Sequence, residues 1–155
     1  MDKMLFSPGS LQVFTQSPQG VMLCVETSRG HLSLVQESLS ILPVHYNQAV
    51  CCLDGVNGFD PYPFARVARQ SGVSIEETLD KVQVSRSFTI HQLRASVERL
   101  LPPLLEMSPM PLVVVLGIEH LFLDETLPLW EREYHLRKTM EFLAGFRDQG
   151  MPVVV

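Results

Sequence analysis

The residues able to do chemistry are sparse and scattered. Five histidines, His31, His45, His91, His120 and His135, offer metal ligands or proton carriers, but no two lie four apart as a pair on one helix face would. The densest acidic and imidazole grouping is Glu119-His120 with Asp124-Glu125. Such a set could build a hydrolytic or metal centre. It directly follows a long apolar run, however, where a solvated loop after a buried strand accounts for it without any ligand. Ser28 and Ser33 lack the Gly-x-Ser-x-Gly setting that sharpens a serine nucleophile. The three cysteines, Cys24, Cys51 and Cys52, are odd in number, include an adjacent pair, sit in apolar runs and form no Cys-x-x-Cys. They are expected to be small buried hydrophobes of a cytoplasmic protein. Arg66, Arg69, Arg86, Arg94 and Arg99 could line a DNA-facing patch, but acids such as Glu98 are interspersed, so a solvated helix surface is the expectation. Trp130, Tyr134, Phe142 and Phe146 could anchor a partner; packing of their helix on a sheet is the simpler expectation.

Composition sets the frame in which such residues must be held. The chain has 155 residues, 46% hydrophobic and 19% charged, with a formal net charge of −5. This is the composition of one folded domain, residues 1–155, and not of a disordered chain. Net acidity argues against bulk attraction to nucleic acid. No apolar run reaches the ~20 residues of a membrane helix, and the first residues lack the apolar core of a secretory signal, so no membrane association is expected.

Short apolar runs alternate with helical periodicity. Leu11–Thr15 and Ser17-Pro-Gln-Gly20 suggest an N-terminal hairpin leading into a strand over Val21–Val25. Leu32, Leu34, Val35, Leu39 and Leu42 mark a helix expected to end at Pro43. A strand over Ala49–Asp54 precedes turn-rich 55–61, then a helix from Pro63 to Gly72. Ser74-Ile-Glu-Glu77 has capping-box form and opens a short helix carrying Leu79 and Val82. A brief strand follows over Val82–Ser87. Thr89 is placed to cap a helix with Leu93, Val97, Leu100 and Leu101 on one face, which Pro102-Pro103 must kink or end. The unbroken run Leu112–Ile118 reads as a strand covered on both faces. Residues 129–148 form the longest helix, Gly150 its C-terminal stop, and Pro152–Val155 a last strand. Strands alternating with helices predict an α/β fold with a mainly parallel sheet.

Over residues 49–101 the chain resembles the RecA/RadA recombinase family. Asp54 ends a strand and Phe59-Asp-Pro61 opens a helix, similar to the family's Asp-Thr-Glu-Gly-x-Phe-Arg-Pro. Ser74-Ile-Glu-Glu-Thr-Leu-Asp-Lys-Val82 resembles its Asp-Pro-Glu-x-Val-Leu-Asp-Asn-Ile stretch. Val84-Ser-Arg-Ser-Phe-Thr89 with His91-Gln92 resembles its Ala-Arg-Ala-Phe followed by His-Gln. The resemblance implies a three-layer α/β sandwich of P-loop NTPase topology. The last strand would lie between the first and Leu112–Leu116, Ala49–Leu53 would flank the latter, and 82–87 would be outermost.

The resemblance also implies an ATP site, whose positions here are altered. Set on Gly30, the phosphate loop is Val25-Glu-Thr27-Ser28-Arg29-Gly30-His31-Leu32. The lysine has become His31 and the magnesium hydroxyl Leu32. Val56 stands where the water-orienting glutamate would be, and Leu116 where the metal-binding aspartate would end its strand. Phosphoryl transfer rests on positioned charge. The expectation is therefore a RecA-like protein that is not an enzyme, with no catalytic residue, metal or cofactor. It would serve as an interaction or scaffold subunit in DNA repair or recombination. A protein partner or homo-oligomer is expected, with DNA met through a complex. The alternative is a nucleotide-binding regulator, or residual ATPase, using Arg29 and His31.

Overall fold

The computed structural model describes residues 22–23, 32–100, 102–103, 111–123 and 125–155; for 22, 23 and 100 the description is of backbone alone. The expected hairpin, Cys24 and the phosphate-loop stretch 25–31 lie outside the described residues. The elements run β1 (Met22–Leu23), α1 (Leu32–Leu39), α2 (Ile41–His45), β2 (Val50–Asp54), α3 (Tyr62–Gln70), α4 (Ile75–Leu79), β3 (Val82–Arg86), α5 (Ile90–Ala95), β4 (Leu112–Leu116), α6 (Ile118–Phe122), α7 (Leu129–Asp148) and β5 (Val153–Val154).

The five strands form one sheet in the order β1-β5-β4-β2-β3, and every pairing is parallel. The C-terminal strand thus lies between the first strand and β4, β2 flanks β4, and β3 is outermost, as expected. Alternation along the strands divides the core between the sheet's two faces. Val50, Cys52, Leu112, Val114 and Leu116 pack with Val35, Leu39, Leu42 and Phe64 from α1, α2 and α3. Cys51, Leu53, Val113 and Val115 pack with Ile90, Leu93, Leu121, Phe122, Leu143 and Phe146 from α5, α6 and α7. Connections stepping toward β3 use the first face and those stepping back use the second, the arrangement that right-handed crossovers impose. Burial disfavours the charged thiolate and pushes the Cys51 thiol up to about 11; Cys52, buried beside Asp54, is pushed up further. Both are free and buried, as expected.

Local signals explain most boundaries. The Ser74 hydroxyl accepts the Glu77 N–H, and the Thr89 hydroxyl accepts the Gln92 N–H, so both predicted caps form. Gly150, at φ +89, ends α7: its N–H donates to the Arg147 carbonyl and the Met151 N–H to the Phe146 carbonyl. That pair of bonds is a Schellman motif. After α5 the backbone widens into a π-helical turn over Ser96–Leu100, just before Pro102-Pro103, which cannot donate helix hydrogen bonds.

Four expectations need correction. Pro43 does not end the first helix. The break falls at Ser40, and Pro43 sits in the first turn of α2, where a missing N–H costs nothing. α4 ends at Leu79, so Val82 belongs to β3 alone. β4 ends at Leu116, because Gly117 turns left-handed at φ +66 and starts α6. The stretch read as a solvated loop is therefore partly helix, with Leu121 and Phe122 buried and Glu119 and His120 exposed. Finally, α7 packs through Thr139, Leu143 and Phe146, whereas Trp130 is 69% exposed and Tyr134 and Phe142 are exposed as well. Among the described residues no helix is long and apolar enough to cross a membrane.

Candidate functional site

In an open parallel sheet, ligands settle at the carboxyl ends of strands where adjacent connections depart to opposite faces. Here that place lies between β2, which leaves toward α3, and β4, which leaves toward α6. Asp54 and Leu116, the last residues of these strands, are register partners. The Gly55 N–H donates to the Leu116 carbonyl at 2.9 Å, and the Ser87 N–H donates to the Asp54 carbonyl at 2.9 Å. The crevice edge is therefore laced across three strands.

Asp54 is the one carboxylate at this edge that is fully buried. Its Oδ1 accepts the N–H of Val56 at 3.2 Å and of Gly58 at 3.0 Å, and its Oδ2 accepts the N–H of Phe59 at 2.9 Å. The half-exposed Arg86 guanidinium stands 3.8 Å from Oδ2. Gln36 of α1 holds the same loop from outside: its Nε2 donates to the Gly58 carbonyl at 2.8 Å, and its Oε1 accepts the Asp60 N–H. A carboxylate with three backbone donors and a guanidinium has little left for a metal or a water. Asp54 shapes the 55–59 loop, including the left-handed Asn57 at φ 52.

What the loop presents to the crevice is apolar. Leu116 is buried in the α1–α3 core, and Leu32 and Val56 pack against that same cluster. A Cβ added at Gly58 would stand 2.5 Å from Leu32 Cδ2 and 3.2 Å from Val56 Cγ2. One added at Gly117 would stand 2.1 Å from Val56 Cγ1, and one at Gly55 would stand 3.0 Å from Leu121 Cδ1. Glycines at these turns thus let Val56, Leu32 and Leu121 seat against the backbone, and the described side of the switch point is lined with hydrocarbon. Three positions singled out in the sequence, Leu32, Val56 and Leu116, are brought together; Thr27, Ser28, Arg29, Gly30 and His31 lie outside the described residues, as does Asp124.

The arginines do not make one patch. Arg66 and Arg69 stand on α3, against one face of the sheet, and Arg94 stands on α5, against the other, with Arg99 in the π turn that follows. Arg66 pairs with Glu37 and Arg94 with Glu98. Sequence reasoning missed a different grouping: His91 of α5 meets Glu131 and His135 of α7. The Glu-x-x-x-His spacing on α7 was a signal, since it places both groups on one helix face; a search for histidine pairs alone passed over it. No family model matches the chain, and no curated protein matches its sequence.

Proposed function

We propose that this chain is a catalytically inactive RecA-like domain that acts as an interaction or scaffold subunit, in DNA repair or recombination. The observation that carries the reading is the convergence of Leu32, Val56 and Leu116 at one strand edge. In the resemblance stated above, these are the positions of the magnesium hydroxyl, the water-orienting glutamate and the metal-binding aspartate. Here all three belong to or pack against one apolar cluster. Magnesium and a triphosphate need oxygen ligands and fixed positive charge, and an apolar wall charges them their full desolvation cost. The strand order also supports the reading, since it is the order that the resemblance implies.

The interaction role has separate support. Leu129 and Trp130, adjacent at the start of α7, are 61% and 69% exposed. Retaining such side chains on a long helix suits a protein that binds another protein.

The test is phosphate release from ATP with magnesium, with and without single-stranded DNA. Release is expected to stay at the protein-free blank. Turnover that disappears in Arg29→Ala would instead establish a residual ATPase working through its phosphate loop.

A further inference from the structure

We propose that His91, Glu131 and His135 form a binding site for a divalent transition metal of the zinc class, clamping α5 to α7. The three residues come from two helices that already pack together through Ile90, Leu93, Leu143 and Phe146. One ligand atom from each can be chosen so that all lie within 4.8 Å of one another. His91 Nε2 and Glu131 Oε1 stand 3.3 Å apart. Around a tetrahedral ion held at about 2.0–2.2 Å, ligand atoms stand roughly 3.3 Å apart. One pair has that spacing already, and the remaining separations, up to 4.8 Å, would have to close on binding.

The surroundings favour a metal over a simple ion pair. The imidazoles of His91 and His135 meet edge to face, with ring centres 4.5 Å apart. The Tyr134 ring packs edge-on against His135, with ring centres 5.2 Å apart, and Arg94 Nη1 lies 3.5 Å from His135 Nδ1, a contact at the outer limit of a hydrogen bond that a metal on this ring would displace. Arg94 is itself paired with Glu98, which offsets its charge toward an incoming cation. Two nitrogens and one carboxylate suit zinc, cobalt, nickel or copper. They do not suit magnesium or calcium, which want oxygen throughout. Three protein ligands leave a fourth position for water or for a donor from a partner.

The experiment titrates the full chain with Zn2+ against a chromophoric chelator and with Co2+ by visible absorption. Expected are one bound ion per chain, a ligand-field band with Co2+, and affinity at least tenfold weaker in His91→Ala and in His135→Ala. His120→Ala, at an exposed position of α6, should bind as the wild type does. Both ligand histidines are outside the core, so circular dichroism should be unchanged in these variants. In Glu131→Cys, bound Co2+ should gain a thiolate charge-transfer band. Absence of saturable binding, equal affinity in the histidine variants, or Co2+ bound to Glu131→Cys without that band would each overturn the proposal.

Discussion

Asp54→Ala is expected to destabilise the protein by about 3–5 kcal/mol, because three backbone donors lose their acceptor together. The alanine leaves the N–H groups of Val56, Gly58 and Phe59 without their acceptor. An orphaned buried donor costs about 1–3 kcal/mol. These donors lie in a half-exposed loop where water can replace part of the loss, so the full sum is not reached. Urea unfolding of both proteins measures the difference. Asp54→Asn keeps one acceptor oxygen and turns an amide N–H₂ toward a donor, so it should fall between the two. Arg86→Ala should cost under about 1 kcal/mol, because that guanidinium is half exposed and its ion pair is screened. If Asp54→Ala lost less than Arg86→Ala, the carboxylate would not be the organiser of the 55–59 loop.

Leu116→Asp, which puts at the end of β4 the acidic residue that the resemblance to the RecA/RadA family would imply there, should be more damaging than Leu116→Ala. Truncation to alanine removes a side chain that is only 5% exposed and leaves a cavity, costing about 2–5 kcal/mol. Aspartate adds a charge facing Leu32, Val56 and the α1–α3 core, with no cation opposite among the described residues that pack there. An additional loss of about 2 kcal/mol or more follows from desolvating that carboxylate. Against a typical total of about 5–15 kcal/mol, the variant should be partly unfolded at room temperature. Magnesium with ATP should not raise its urea midpoint. A midpoint restored by magnesium and ATP would mean that the crevice still accommodates a metal–phosphate pair.

Much of the fold was legible because its signals are local. The caps at Ser74 and Thr89, the unbroken valine run of β4 and the glycine stop of α7 each depend on a few adjacent residues. The errors arose where tertiary packing decides. Pro43 suits the first turn of a helix as well as it suits a stop, and only the contact of Leu42 with the core selects between them. Glu119 and His120 dominate their stretch chemically, yet Leu121 and Phe122 bury and make it α6. The aromatic positions of α7 fall on two faces, and the sheet takes Phe146 while leaving Trp130 exposed.

The meeting of Val56 and Leu116 at one crevice was legible only through the resemblance, which supplied the strand order; no local pattern encodes it. The work of Asp54 was invisible because a carboxylate ending a strand looks the same whether it holds a metal or a loop. His91 lies forty residues or more from Glu131 and His135 along the chain, and they meet because α5 and α7 cover the same face of the sheet.

A calorimetric titration of the intact protein with ATP and magnesium tests the central claim most directly. If the apolar lining by Leu32, Val56 and Leu116 excludes a metal–phosphate pair, as proposed, no saturable heat is expected up to about 1 mM nucleotide, a binding free energy weaker than about −4 kcal/mol. Saturable binding below about 100 μM, abolished by Arg29→Ala, would contradict it.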